Sequence, residues 1–175
     1  MAELQIKKLT ADDLSNHIDA FAHILHSNVL SGASVSFVLP FTMDDAKTYW
    51  LQNVHQKVST GAVILFAAML EGKVVGTVQL VLEQPPNQKH RADVSKLLVD
   101  PDYQRRGIAK ALMAALEEEA IIADRHHILL DTKTGDRAEK LYTLLGYEIC
   151  GTIPNFAKDP DSDFLASTTL LYKIV

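Results

Sequence analysis

The sequence of 175 residues has little cysteine, no excess of positive charge and no long hydrophobic run. Its one cysteine, Cys150, excludes an intramolecular disulfide and favours a reducing compartment, so we expect the protein in the cytoplasm. A net charge of −5 argues against a nucleic-acid partner, because phosphate binding needs clustered cations. The N-terminal residues lack the layout of a signal peptide, and no apolar stretch approaches the roughly 20 residues that span a bilayer. We therefore expect no membrane association.

Nothing in the composition divides the chain into parts. Its 47% hydrophobic and 22% charged residues are ordinary for a globular protein, and a chain of this length can bury a core without disulfides or metals. The sequence contains no internal repeat, low-complexity tract or linker. We expect one domain over residues 1–175.

Hydrophobic periodicity predicts the secondary structure. Residues 4–9 alternate like a half-buried strand, Thr10 suits a helix cap, and Glu71-Gly72 joins two stretches that predict an antiparallel hairpin. The predicted order is strand, two helices, three strands, helix, strand, helix and two strands, over 4–9, 10–30, 42–59, 62–70, 73–82, 92–99, 107–123, 128–131, 136–145, 147–153 and 167–174. Residues 154–163 are expected to be irregular. This order favours an α/β fold with one mixed sheet.

The most informative segment runs from the end of a predicted strand into a helix that begins at Gly107. Free N–H groups at a helix N-terminus bind anions, and glycine lets a phosphate approach the backbone closely. Arg105, Arg106 and Lys110 add positive charge around such a phosphate. The segment therefore predicts a diphosphate-binding turn, although a capped helix with solvated arginines would have the same sequence. The patterns G-x-x-x-x-G-K-[ST] and G-x-G-x-x-G of other nucleotide sites do not occur.

Residues 104–109 (QRRGIA) match the Q/R-x-x-G-x-G/A signature of the GNAT family of N-acetyltransferases, and residues 97–101 resemble that family's fourth strand. The order of elements is similar to the family's fold over nearly the whole chain. This resemblance implies a single, mostly antiparallel sheet flanked by helices, with acetyl-CoA as co-substrate and no metal. It implies that the cofactor-binding residues are Leu97, Leu98, Val99, Gln104, Arg105, Arg106, Gly107, Ile108, Ala109 and Lys110. The backbone of Leu97 and Val99 would pair with the pantetheine arm.

Tyr142 is the expected general acid. Residues 138–147 resemble the family's A-x-x-x-Y-x-x-x-G-F/Y element, in which the tyrosine points at the CoA sulfur. A phenol with an ordinary pKa near 10 is a suitable donor to a leaving thiolate. Packing of the ring with a satisfied hydroxyl is the structural alternative. Gly135 stands where the family often has asparagine, so the usual contact of that side chain with the cofactor is missing.

Asp131, at the end of the predicted fifth strand, is the candidate base. Its carboxylate would lie where the fourth and fifth strands part, and there it would accept the proton of the attacking amine or bind a cationic substrate. Capping of the loop at residues 132–134 fits the same position equally well. Asp93, on the neighbouring strand, is positioned to cooperate with it. Cys150 is expected to pack in a strand rather than act as a nucleophile.

A narrower resemblance is to the tabtoxin-resistance type of acetyltransferase, carried by residues 32–37 (GASVSF), Lys96-Leu97 and residues 130–132. It implies an acceptor-binding wall in residues 32–37, for which an ordinary interhelical loop is the alternative. The substrate-binding residues would be Ser34, Phe37, Asp93 and Asp131.

These inferences predict transfer of an acetyl group from acetyl-CoA to the primary amine of a small molecule, such as an amino-acid-like toxin or antibiotic. The amine would attack directly in a ternary complex. Acetylation of a peptide or protein amine is one competing hypothesis, and an acyl-CoA sensor without turnover is another. The resemblance also makes a homodimer an expected state, since relatives are often dimers.

Overall fold

Residues 3–175, which a computed structural model describes, form one seven-stranded sheet. The first two residues of the N-terminal segment lie outside the described residues. The strands are β1 (Leu4–Leu9), β2 (Val63–Leu70), β3 (Lys73–Val81), β4 (Arg91–Val99), β5 (His127–Lys133), β6 (Glu148–Lys158) and β7 (Leu165–Ile174). Their order in the sheet is β1-β2-β3-β4-β5-β7-β6, and all neighbours are antiparallel except β4 and β5. The predicted mixed, mostly antiparallel sheet is confirmed.

Helices cover the sheet. They are α1 (Ala11–Asn16), α2 (Ile18–Leu30), α3 (Met43–Thr48), α4 (His55–Ser59), α5 (Ile108–Ile122) and α6 (Arg137–Leu144). A π-helical segment, Tyr49–Val54, joins α3 to α4, and its buried Trp50 donates a hydrogen bond from Nε1 to the Phe21 carbonyl at 3.0 Å. One hydrophobic cluster lies beneath α1 to α4, and a second lies beneath α5 and α6. The predicted succession of strands and helical regions along the chain is therefore confirmed, with each of the first two helical regions divided into shorter helices.

Local capping chemistry explains where the first helix begins. Thr10 and Asp13 form a capping box: the Asp13 N–H donates to Thr10 Oγ1 at 3.1 Å, and the Thr10 N–H donates to Asp13 Oδ2 at 2.9 Å. The helix predicted over 10–30 is wrong in its continuity, because the chain turns at His17, whose φ of −110° and ψ of 17° are not helical. This turn separates α1 from α2.

The β2–β3 hairpin confirms the prediction made for Glu71-Gly72. Both residues have positive φ, 51° and 78°, as a tight two-residue turn between antiparallel strands requires. The hairpin pairs β2 with β3, and the other edge of β3 pairs with β4. Gly76 of β3 lies against α5, because a Cβ there would be 3.1 Å from Ile108 Cγ2 and 3.2 Å from Leu112 Cδ1. The start of α5 is thereby held close to the sheet.

The two central strands part after a short parallel contact. Strands β4 and β5 pair only where residues 91–93 face residues 127–129, so the later residues of β4 have no partner on that side. A bulge in β4 increases the divergence, because the register with β3 shifts between Thr77 and Gln79 and Lys96 has a φ of 51°. A cleft opens between the two strands.

Three local predictions are wrong. Asp131 does not end its strand, since β5 continues to Lys133 through pairing with β7. Residues 154–158 are not irregular, because β6 resumes pairing with β7 after a bulge between Ile153 and Ala157. Cys150 is exposed rather than packed, because it lies on the edge strand β6 at a register shift.

Candidate active site

A cavity of about 500 Å³ occupies the cleft between β4 and β5. Its walls come from β4, the turn before α5, the end of β5, α6 and the loop that follows α2. The predicted site residues that line it are Ser34, Leu97, Leu98, Val99, Gln104, Arg105, Gly107, Ile108, Ala109, Lys110, Asp131 and Tyr142. Segments far apart in sequence therefore meet at one place, of the size usual for a small-molecule site.

The turn before α5 has the geometry of an anion site. Gly107 is the N-cap with a φ of 80°, and no side chain caps the helix, so the first N–H groups of α5 remain free to bind an anion. The space where a Gly107 Cβ would stand contains no atom within 4 Å. Arg105, with a φ of 62°, and Lys110 bring positive charge to the cavity wall. This arrangement fits a diphosphate.

Arg106 differs from its two cationic neighbours. Its guanidinium lies 5.1 Å from the ring centroid of Tyr103 and donates a hydrogen bond to the Asp102 carbonyl at 3.1 Å. It does not line the cavity. Arg105 and Arg106 are consecutive in a tight turn, and their side chains extend in different directions. The structure therefore does not bring Arg106 to the cavity.

The open side of β4 offers backbone groups to a ligand. The Asp100 N–H bonds back to Val75 of β3, so the alternating strand geometry turns the Val99 groups toward the cleft. The Val99 carbonyl accepts hydrogen bonds from Asn28 Nδ2 at 3.1 Å and Gln104 Nε2 at 3.3 Å. The Val99 carbonyl is therefore occupied, and the Val99 N–H is the group available to a ligand. Leu98, by contrast, is buried with only 3% exposure.

Tyr142 is held deep in the wall of the cavity. The residue is 6% exposed, and its ring lies edge-on to that of Tyr147 at 5.8 Å between centroids. Burial raises the pKa of the Tyr142 hydroxyl, and the nearby negative charge of Asp131 raises it further. The phenol is therefore kept neutral and can act as a proton donor.

Asp131 is exposed on β5 and lines the same cavity. Its backbone pairs with Leu170, which fixes the residue in a strand rather than in a turn. The loop after β5 is held by other groups: the Gly135 N–H donates to Glu139 Oε2 at 2.9 Å, and the Thr134 N–H donates to the Ser167 carbonyl at 2.9 Å. Capping of this loop by Asp131 has no support among these contacts.

Two predicted substrate-binding residues lie outside the cavity wall. Asp93 Oδ2 accepts a hydrogen bond from Gln84 Nε2 at 2.8 Å and lies 3.6 Å from Arg91, so its charge is already partnered. The Phe37 ring packs behind the wall, 4.6 Å from Phe41 between centroids. Asp93 lies near the paired start of β4, and the split between the strands comes after it.

Lys96 is the cavity residue whose role the sequence did not reveal. Its ammonium donates to Ser36 Oγ at 3.2 Å and lies 5.6 Å and 5.5 Å from the ring centroids of Phe37 and Tyr49. Burial lowers the Lys96 pKa, while the charge of Asp131 raises it. The sequence signal for such a role is a lysine inside a predicted strand, close to the apolar residues Val94 and Leu97.

Residues 3–175 carry no feature of a metal site or of a membrane-spanning helix. That part of the chain holds no group of three or more His, Cys, Asp or Glu side chains placed to bind a metal ion. None of its helices combines the length and apolar character needed to cross a membrane.

Solved structures share this fold over nearly their whole length. An N-acetyltransferase from Staphylococcus aureus Mu50 superposes with a TM-score of 0.80, at 19% identity and 98% coverage of both chains. The Salmonella typhimurium protein yncA, whose structure contains its cofactor acetyl-CoA, superposes with a TM-score of 0.78, at 16% identity and 98% and 93% coverage. At these identities the likeness establishes the fold and nothing further.

Sequence comparison gives the family. Residues 33–147, more than half of the chain, match the acetyltransferase (GNAT) family, so the chain belongs to that family. It is an acetyl-CoA-dependent N-acetyltransferase. A glucosamine 6-phosphate N-acetyltransferase of Trypanosoma brucei brucei is 22% identical over 84% of this chain and 90% of its own length. The L-amino acid N-acetyltransferase AaaT of Escherichia coli (strain K12) is 32% identical over 51% of this chain and 56% of its own length.

Proposed function

We propose that this enzyme transfers the acetyl group of acetyl-CoA to the primary amine of a small molecule, by direct attack in a ternary complex. One observation carries the proposal: the anion-binding turn, the free edge of β4, Tyr142 and Asp131 all line one cavity. A donor bound along β4 and an acceptor bound beside Asp131 would meet in the cleft between the strands. Holding two reactants in this way removes much of the entropic cost of their encounter.

The residues divide the binding and proton-transfer tasks. The N–H groups at the start of α5, with Arg105 and Lys110, hold the diphosphate, and the open edge of β4 holds the pantetheine arm. Acetyl-CoA supplies the thioester. Asp131 takes the proton of the attacking amine, directly or through water, as the nitrogen–carbon bond forms and the carbon–sulfur bond breaks. Tyr142 donates its proton to the departing thiolate, and solvent restores it.

A small acceptor is supported by the wall and by the relatives. Residues 33–36 line the cavity, and we assign them to the side that binds the acceptor. Glucosamine 6-phosphate and L-amino acids are the acceptors that the names of two relatives state. The tabtoxin-resistance type, with its amino-acid-like toxin, remains our narrower proposal. A peptide acceptor would need an open groove, and a sensor without turnover would not need Tyr142 and Asp131 in one cavity.

We also propose a homodimer that acts in the cytoplasm. The edge strand β6 and its neighbour β7 expose Ile153, Phe156 and Leu165, at 40%, 51% and 47%. An edge strand with exposed apolar side chains favours pairing with a second copy. The exposed free thiol of Cys150 supports a reducing compartment.

The direct test is release of CoA thiol from acetyl-CoA by the purified protein, with small amines, amino acids, aminoglycosides and short peptides as acceptors. Stimulation by small amines and not by peptides supports the proposal, and stimulation by peptides alone overturns the small-molecule assignment. Thermal stabilisation by acetyl-CoA is measured in the same samples. Stabilisation without any turnover would favour the sensor.

A further inference from the structure

Lys96 combines an unusual backbone conformation with a place in the cavity wall. Its backbone is left-handed, with a φ of 51°, at the bulge of β4, and the residue lines the cavity. Ser36, which accepts its hydrogen bond, is also left-handed, with a φ of 79°. Non-glycine residues adopt this conformation at a cost, and such positions concentrate at functional sites. The fold therefore constrains both partners of the Lys96–Ser36 contact.

In the described part of the chain, no carboxylate lies within salt-bridge distance of the Lys96 ammonium. Its neighbours are the Ser36 hydroxyl and the rings of Phe37 and Tyr49. The Tyr49 hydroxyl is occupied as an acceptor for Gln79 Nε2 at 3.2 Å. A partly buried cation with one neutral hydrogen-bond partner has donors left for an anion.

Asp131 places the opposite charge on the other side of the cleft. Lys96 belongs to β4 and Asp131 to β5, and both line the cavity where the two strands have parted. Burial lowers the Lys96 pKa and the charge of Asp131 opposes this effect, as expected for opposite charges on the two walls of one cleft. A cation and an anion across one cleft are complementary to a ligand that carries an anion and an ammonium.

We propose that Lys96 and Ser36 bind an anionic group of the acceptor, a carboxylate or a phosphate, while Asp131 receives the acceptor's amine. This inference rests on the proposed function, acetylation of a small amine in this cavity, and adds a substrate class: amines with an anionic group a few bonds away. Lys96 is then a specificity-determining residue, since it distinguishes acceptors with the anion from neutral isosteres. The charge-assisted hydrogen bond is the source of the discrimination.

Two other roles for Lys96 make different predictions. A lysine that only seals the aromatic wall would affect thermal stability and treat charged and neutral acceptors alike. A lysine that polarises the thioester carbonyl would lower kcat for every acceptor by the same factor. Anion binding alone predicts an effect that depends on the acceptor's charge.

The test compares kcat/KM for matched acceptors: an L-amino acid against its carboxamide, and glucosamine 6-phosphate against glucosamine. The two pairs separate carboxylate from phosphate. The variants are Lys96→Met, Lys96→Arg and Ser36→Ala, with Lys89→Met as a control, because Lys89 is exposed and lies outside the cavity wall. Thermal unfolding and acetyl-CoA binding are measured for each variant.

We expect the wild type to prefer the anionic member of one pair by roughly ten- to a hundredfold. Lys96→Met removes this preference, chiefly through KM, and Lys96→Arg retains much of it. Ser36→Ala weakens it, which keeps the inference testable if Lys96→Met fails to fold. Lys89→Met leaves it unchanged.

Equal use of both members of each pair by the wild type, or equal loss for both in Lys96→Met, overturns the inference and leaves the proposed function standing. A wild type that binds acetyl-CoA and acetylates no amine overturns the proposed function itself, and the inference with it.

Discussion

At the scale of single residues, Tyr142 and Asp131 differ in their access to water, and this difference suits their proposed tasks. Tyr142 is buried and its pKa is raised by burial and then by Asp131, so the phenol holds its proton. Asp131 is exposed, so a proton that it accepts can pass to solvent. Tyr142 is therefore available as a proton donor, and Asp131 as a proton acceptor that can exchange its proton with solvent.

Changing Tyr142 to Phe removes the proton donor and keeps the ring. We expect kcat to fall roughly a hundredfold, with acetyl-CoA affinity and thermal stability close to wild type. Steady-state rates and a titration with acetyl-CoA measure the two quantities. Unchanged kcat would remove Tyr142 from the mechanism and leave it a packing residue.

The raised pKa of Tyr142 also sets the alkaline behaviour. A donor whose pKa lies above its ordinary value stays protonated to higher pH, so ionisation of Tyr142 contributes no falling limb to the kcat profile at or below about pH 10. Rates measured from neutral pH to about pH 10 check this. A falling limb in that range that is absent from Tyr142→Phe would contradict the raised pKa.

At the scale of elements, the turn into α5 is the part to which we assign binding of the acetyl-CoA diphosphate. Gly107 has a φ of 80°, and the space beside it is open. An added Cβ would cause backbone strain and would occupy the space that we assign to the diphosphate. Gly61 offers a matched comparison, because its φ is 75°, its surroundings are also open, and it lies in the turn before β2.

We expect Gly107→Ala and Gly61→Ala to lose similar stability, about 1–2 kcal/mol from left-handed strain. Gly107→Ala alone should also weaken acetyl-CoA binding, by about tenfold or more. Thermal unfolding and calorimetric titration of both variants check the two effects separately. Equal acetyl-CoA affinity in the two variants would show that the turn does not bind the diphosphate.

At the scale of the whole molecule, β6 leaves one edge of the sheet with exposed apolar side chains, which we assign to a second copy of the chain. Phe156→Glu should then convert a dimer to a monomer because a buried carboxylate would lack a partner. Ile122→Glu is the control, since Ile122 is 77% exposed at the far end of α5. Sedimentation equilibrium reports the state of each protein, and a monomeric wild type would contradict the assignment.

The sequence predicts those features of this molecule that depend on residues close together in the chain, and it misses those that depend on residues far apart. The strand order in the chain, the Glu71-Gly72 hairpin and the turn at Gly107 follow from periodicity and turn chemistry, which a short segment contains in full. The bulge at Lys96 and the extension of β6 depend on register between strands distant in sequence. The partners of Asp93 and Phe37 depend on tertiary packing, so the structure was needed to place them outside the cavity wall.

The central claim is that donor and acceptor meet in one cavity and react directly. The most direct measurement is the initial rate with acetyl-CoA and the best acceptor both varied. A ternary complex predicts reciprocal plots that intersect. Parallel plots would indicate a covalent acetyl-enzyme and would contradict the account.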